Sequence, residues 1–267
     1  NKQKIALSRS FLTNHLYPLF STFFSELGCE VVLSDNVDLE GIKRTRTSLC
    51  FPCEIAHGCF ANLLKKDVDF IFLPKIVELY VENSVSRKKE HQSTCQLLQS
   101  EAYYLKSAFK GVDCSMKIIS PTLNFSQGLE TQTREFSDIA GEIGKKGKTA
   151  LIAYKTAVEK QNKFQQELKR MGRSLLDRLE HEKHTSAIVL FGRYYNAFAR
   201  EANFGIPAKF ASRGYLVIPW DFLPIENEEC DADMTWAIGQ NLLRASAFVS
   251  KHPQLFGAFV TNFSCGP

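Results

Sequence analysis

The apolar positions of this chain fall into two kinds of run: short unbroken ones and longer ones with a helical period. Lys4 to Leu7 predicts a first strand. Leu16, Leu19, Phe20, Phe23, Phe24 and Leu27 then share one helical face, and Gly28 is placed to end that helix. Val31-Val32-Leu33 is short and wholly apolar, the sign of a strand covered on both faces. A loop follows, through Lys43-Arg44-Thr45-Arg46 to Cys50. Glu54 to Leu64 predicts a second helix, and Val68 to Leu73 a third strand closed by Pro74. After a polar stretch from Glu82 to Thr94, Gln96 to Phe109 reads as a helix and Met116 to Ile119 as a fourth strand.

Between Glu130 and Lys183 the pattern is almost purely helical. Leu151, Ile152, Tyr154, Val158, Phe164, Leu168, Met171, Leu175, Leu176 and Leu179 recur at helical spacing, and Gly144 and Gly147 predict a break between two helices. Alternation then resumes. Ala187 to Phe191 is a strand, Ala197 to Ser212 a helix, Tyr215 to Ile218 a strand closed by Pro219, Met234 to Val249 a helix, and Phe256 to Thr261 a last strand. Strands alternating with helices imply parallel sheets covered by helices. The expected architecture is α/β, with two Rossmann-like lobes over residues 1–125 and 185–267. A helical connector over 126–184 joins them.

A hydrophobic content of 44% and a charged content of 23% are those of a chain that builds a core, which excludes global disorder. The net charge of +4 is small and its charges are mixed, so no nucleic-acid partner is expected. The tight basic run, Lys43 to Arg46, reads as a solvated loop. No apolar run has the length to span a bilayer, so no membrane partner is expected either. The first residues carry no export pattern and no initiator Met. The chain therefore reads as a piece of something longer, with its second lobe cut short. Eight cysteines, without an export signal, point to a reducing cytoplasm and to metal or redox chemistry rather than a disulfide framework.

The densest chemistry is "SLCFPCEIAHGC", residues 48–59, with Cys50, Cys53, His57 and Cys59. Cys50-Phe51-Pro52-Cys53 has the form of a dithiol couple at a helix start, where amide dipoles favour a thiolate. A thioredoxin-like couple would follow directly on a strand, and Ile42 to Leu49 is too polar to be one. A local zinc site lacks the usual second ligand pair, and Cys59 falls off the face shared by Cys53 and His57. Cys50 falls at a predicted helix start, Cys95 in the loop after the third strand at the start of the next helix, and Cys265 just past the last strand. Open α/β sheets bind ligands outside the carboxyl ends of their strands, so the three fall where a ligand could bridge the lobes. Cys29 and Cys114 border buried strands and read as core residues, and Cys230 sits in an acidic loop without an evident partner. Arg193, Tyr194, Tyr195, Asn196 and Asn203 follow the strand Ala187 to Phe191. They suit either an anionic ligand or the capping and packing of the next helix.

Several runs carry a family resemblance: "FFSELGCEVVLSD" (23–35), "CFPCEIAHG" (50–58), "VDFIFLPKI" (68–76), "FGRYYNAFAREANFGIP" (191–207) and "TNFSCGP" (261–267). In this order they span nearly the whole chain. The chain resembles the activase-related module of the acyl-CoA dehydratase family, whose relatives are subunits of 2-hydroxyacyl-CoA dehydratase and benzoyl-CoA reductase. The resemblance implies an iron–sulfur cluster, of 4Fe–4S or double-cubane type, held by Cys50, Cys95 and Cys265. His57 then reads either as a hydrogen-bond donor to a cluster sulfur or as a buried histidine satisfied by backbone. Arg193, Tyr194 and Asn196 would meet an acyl-CoA or other small substrate. The chain has no Gly-x-x-x-x-Gly-Lys-Ser/Thr loop. The implied partner is therefore an ATP-dependent activator, which delivers low-potential electrons, as befits anaerobic metabolism. The chain departs from the family pattern at Cys53, at Cys59 in place of a second His, and at Tyr194 in place of Pro. Two other readings accompany this one: a non-catalytic module that docks or scaffolds the activator, and a dithiol oxidoreductase using Cys50 and Cys53.

Overall fold

Ile5, Ala6 and Leu7 expose no surface, as expected of a strand apolar on both faces. The computed structural model describes residues 2–48, 50–83, 92–112, 116–182, 185–229, 231–262 and 265. Cys114 and Cys230 lie outside them. The chain divides into two compact units, residues 1–80 with 94–162, and residues 81–93 with 163–267.

The first unit runs through β1 (Lys4–Leu7), α1 (Tyr17–Glu26), β2 (Glu30–Leu33), α2 (Leu39–Ile42), α3 (Phe51–Leu63), β3 (Phe70–Phe72) and β4 (Lys75–Glu78). It continues with α4 (Gln96–Gln99), α5 (Glu101–Ala108), β5 (Lys117–Ile119), β6 (Thr122–Asn124), α6 (Thr133–Glu142) and the first part of α7 (Lys148–His181). Its main sheet is parallel, in the order β2-β1-β3-β5. Successive residues of β3 serve opposite faces. Ile71 joins Phe60, Leu63, Ala102 and Leu105, contributed by α3 and α5. Phe72 meets Phe20 and Phe24 of α1 edge-on, each with ring centroids 5.1 Å apart. Behind them Phe23 meets Phe136 of α6, which stacks on Tyr154 of α7. The buried Gln161 ties α7 to the start of α1: its amide donates to the His15 carbonyl and accepts from the Leu19 N–H, both at 3.1 Å.

The sequence pattern does not announce β4 and β6, which form a separate parallel pair. Pro74 and Pro121 lack an N–H, so the pairing of β3 with β5 is interrupted and resumes beyond them. Leu73 N–H reaches the Ile119 carbonyl, and Lys75 N–H the Pro121 carbonyl. The helix expected over Gln96 to Phe109 is divided at Ser100, whose hydroxyl bonds back to the Gln96 carbonyl at 2.8 Å.

The second unit takes the rest of α7, then β7 (Ala187–Phe191), α8 (Tyr194–Ala197), α9 (Arg200–Asn203), α10 (Ile206–Ala211), β8 (Leu216–Pro219), α11 (Ala237–Ser250) and β9 (Leu255–Phe259). Its sheet is parallel, in the order β8-β7-β9. Each unit thus has a main parallel α/β sheet, as the alternation predicted. In place of the expected helix from Ala197 to Ser212 there are three short ones. Phe204 and Gly205 adopt left-handed backbone (φ 51° and 71°), which no helix continues through. Gly144 and Gly147 also have positive φ and separate α6 from α7, where the break was expected. No helix among the described residues is long and apolar enough to cross a membrane.

Candidate functional site

In the first unit, Cys50 is the N-cap residue of α3, with extended backbone (φ −145°, ψ 111°) and Pro52 in the first turn. Its carbonyl accepts the N–H groups of Cys53 and Glu54, at 3.0 and 3.2 Å. The helix is held by an intimate contact with α2, which lies in the stretch read as a loop. A Cβ on Gly58 would collide with Val37 Cγ1, and one on Gly41 with the His57 carbonyl. Only glycines let these two backbones approach so closely. The contact delivers the basic run to the start of α3.

There a cavity of about 380 Å³ opens, lined by Arg44, Thr45, Arg46, Thr47, Cys50, Cys53, His57, Leu97, Tyr104, Ser107 and Ala108. Cys50 and Cys53 are thiols, 7% and 8% exposed. A hydrogen bond to the Cys50 sulfur, then burial, pushes the Cys53 thiol far above its ordinary range. Arg44 spreads its guanidinium over the Phe109 ring, 4.9 Å from the centroid, and donates to the Ala108 carbonyl. The basic run is therefore a cavity rim as well as a surface.

His57 stacks on Tyr104, ring centroids 5.1 Å apart. Its Nδ1 lies 2.7 Å from the Cys53 carbonyl, and since a carbonyl only accepts, Nδ1 carries the proton. Burial lowers its affinity for a second proton. The neutral ring then presents Nε2 as an acceptor. Of the two roles read for His57, satisfaction by its own helix is the one that Nδ1 displays.

Behind Tyr104 sits a group the sequence reading missed. Glu101 is 3% exposed, and burial pushes its carboxyl up to about 7 against the pull of a 2.5 Å hydrogen bond from Ser10. Ser10 in turn shares a 2.7 Å hydrogen bond with Ser8, just past the carboxyl end of β1. The available signal was an acid on an apolar stripe: Leu98 and Leu105, three before and four after it, are buried and fall on its face of the expected helix. The Tyr104 hydroxyl is likewise pushed well above its ordinary range, first by burial and then by Glu101 and Cys53.

Cys95 is the N-cap residue of α4, partly exposed. Cys29 and Cys59 are buried. The structure brings Cys50, Cys53 and His57 to one cavity, whose lining does not include Cys95. Among the described residues, no three His, Cys, Asp or Glu side chains are grouped so that they could hold a metal ion.

In the second unit Cys265 lies beside Asn196, just past the carboxyl end of β7. The Asn196 amide donates to the Cys265 sulfur at 2.9 Å, and Asn262 donates to Asn196 Oδ1 at 2.6 Å. Asn196 is buried, and both ends of its amide are held. Arg193 bonds the Tyr195 hydroxyl at 3.0 Å and lies over the Trp236 ring. Tyr194 packs against Phe198 and Trp220. Asn203 donates to the Ala197 carbonyl and accepts from the Gly205 N–H, which caps and turns the chain. Sequence reasoning anticipated Arg193, Tyr194, Asn196 and Cys265 separately. The structure joins Asn196 to Cys265 and adds Asn262.

Opposite Tyr194, Asp221 has its carboxyl pushed up to about 7 by burial, and its Oδ1 is buried with no hydrogen-bond partner.

A family model described as "CoA enzyme activase uncharacterised domain" matches residues 4–223. No curated protein and no solved structure matches the chain.

Proposed function

The chain belongs to the CoA enzyme activase uncharacterised domain family, and from that premise we propose that it is an iron–sulfur-binding redox component. It resembles 2-hydroxyacyl-CoA dehydratase and reductase subunits and receives low-potential electrons from an ATP-dependent activator. The observation that carries this reading is the amide of Asn196 aimed at the sulfur of Cys265 at 2.9 Å. An N–H donated to sulfur stabilises the thiolate over the thiol, and such donors tune cluster potentials.

The donors are also of the right type. Cys50, Cys95 and Cys265 are thiols, and thiolates are what such a cluster needs. The cluster, when bound, supplies one-electron transfer at low potential. The chain's own residues do the rest. The amides of α3 favour negative charge at Cys50, and Asn196 with Asn262 fixes the orientation of Cys265. Arg193 offers positive charge to an anionic acyl-CoA or other small substrate, with Tyr194 and Asn196 shaping the surroundings. A reducing cytoplasm keeps these thiols ready for metal.

The test is anaerobic preparation with iron and acid-labile sulfide analysis of the parent and of Cys50→Ser, Cys95→Ser and Cys265→Ser. Each variant is expected to lose most of its iron and its visible absorption. Anaerobic parent protein without iron would sink the cluster. A full complement of iron in all three variants would sink the residue assignment.

A further inference from the structure

The cavity of the first unit holds more chemistry than one ligating thiol requires. Two thiols, Cys50 and Cys53, stand three residues apart at the start of one helix, hydrogen-bonded to each other and open to the same cavity. Positions three apart share a helix face, and a disulfide needs its Cβ atoms about 4 Å apart. The extended backbone of Cys50 leaves that cysteine outside the helix geometry and able to turn toward its neighbour.

The cavity wall is built for a ligand. The Thr45 hydroxyl is buried there without a hydrogen-bond partner. The Tyr104 hydroxyl has the Cys53 thiol beside it but makes no hydrogen bond of normal geometry. Buried hydroxyls left in this state are rare unless something else supplies the partner. Arg44 and Arg46 both line the cavity, so two positive charges stand at its wall. A matching ligand carries anionic groups toward the arginines, polar atoms along the wall and sulfur at the base.

We propose that this cavity is a thiol–disulfide exchange site for small anionic disulfides, in which the Cys50–Cys53 dithiol is oxidised and the bound disulfide is reduced. The Cys50 sulfur attacks one sulfur of the small disulfide. A Cys50 mixed disulfide forms, the small disulfide's S–S bond breaks, and the first thiolate leaves with the electron pair. The Cys53 sulfur then attacks the Cys50 sulfur, closing the Cys50–Cys53 bond and expelling the second thiolate. The two cysteine protons pass through the open cavity to water and end on the released thiols. Two electrons leave the dithiol and two enter the small disulfide.

This activity goes beyond the cluster reading. It needs Cys53, which that reading leaves aside, and makes no use of Cys95 or Cys265.

The test mixes the reduced, desalted chain with glutathione disulfide and follows released thiol and the mapped disulfide. The parent should release two thiol equivalents and form a Cys50–Cys53 bond. Cys53→Ser and Cys53→Ala should both stop at a Cys50–glutathione adduct with one equivalent released. Cys50→Ser should release none from this site. Cys95→Ser and Cys265→Ser should exchange like the parent even where they lose iron, which separates failure of this proposal from failure of the cluster reading. Arg44→Gln with Arg46→Gln should slow the reaction about tenfold, while the rate with the uncharged 2-hydroxyethyl disulfide stays unchanged. Thiol release that leaves Cys50 and Cys53 unlinked would overturn the exchange. An equal slowing with both disulfides would overturn the preference for anions.

Discussion

Glu101 in the first unit and Asp221 in the second are both acids whose carboxyls burial pushes up to about 7, yet their surroundings differ. Glu101 receives the Ser10 hydroxyl, itself bonded to Ser8, so its burial is compensated by a chain of hydroxyls. Asp221 Oδ1 receives nothing. The cysteines show the reverse. Cys265 is held by a fully occupied amide, whereas Cys50 and Cys53 border a cavity with unsatisfied hydroxyls in its wall. The first unit thus fixes its acid and leaves its thiols approachable. The second fixes its thiol and leaves one oxygen of its acid without a partner. A polar group in a low-dielectric site is either satisfied or costly, and each unit has made the opposite choice about which group to satisfy.

Substitutions can break this comparison, beginning with the acids. Each folded carboxyl titrates above its unfolded value, so between about pH 4 and about pH 7 the folded chain keeps protons that the unfolded chain has released. Stability therefore falls as pH rises through that window, and the loss is complete above it. The cost reaches about 4 kcal/mol for Asp221 and about 3 kcal/mol for Glu101. Urea unfolding at pH 4 and pH 8 should show Asp221→Asn removing the larger share of the pH dependence and Glu101→Gln the smaller. An Asp221→Asn chain with unaltered pH dependence would mean that this carboxyl ionises without cost.

Next in size is Gly58→Ala, which places a methyl against Val37 and should destabilise the first unit by about 2 kcal/mol. Because α2 would be pushed off α3, the variant should also alkylate faster at Cys50 while Cys265 keeps its rate. Equal acceleration at both would mean the Gly41–Gly58 contact does not govern the cavity in particular.

Asn196→Ala sharpens the other side. It removes the Asn196 donor from the sulfur of Cys265 and the Asn196 acceptor from the Asn262 amide, at a cost of about 1–2 kcal/mol. Cys265 alkylation at a fixed pH should slow as its thiol becomes harder to ionise, with Cys50 unaffected. The smallest effect belongs to Arg44→Gln, which removes an exposed guanidinium–aromatic contact worth about 0.5–1 kcal/mol. A melting shift well above that would mean Arg44 braces the unit rather than lining its cavity.

Much of the fold was legible because buried parallel strands leave unbroken apolar runs: Ile5 to Leu7, Ile71 with Phe72, and Ala187 to Phe191 needed no partner to be recognised. The β4–β6 pair was not legible. Its residues are mixed in character, and its pairing depends on two prolines that lie far apart in the chain. The helix expected after β7 fails for a local reason: Phe204 takes a left-handed conformation that only the turn built by Asn203 and Gly205 explains. At the sites, cysteines announce themselves by type, so Cys50 and Cys265 were found. Their supporting groups were not, since Ser10, Glu101, Asn262 and Trp236 look ordinary until folding places them. Glu101 alone left a trace, as an acid within an apolar stripe.

Gln161 carries a last implication. One buried amide on α7 reads both a carbonyl and an N–H at the start of α1. A helix slides past its neighbour in steps of a turn, about 5.4 Å. The residues one turn earlier on α7 are Ala157 and Val158, both buried and apolar. A slide that brought either of them opposite α1 would strand the His15 carbonyl and the Leu19 N–H together. The amide acts as a detent. It gives this packing one discrete seating in place of a continuum, and amide exchange at Leu19 becomes a gauge of whether α7 is seated.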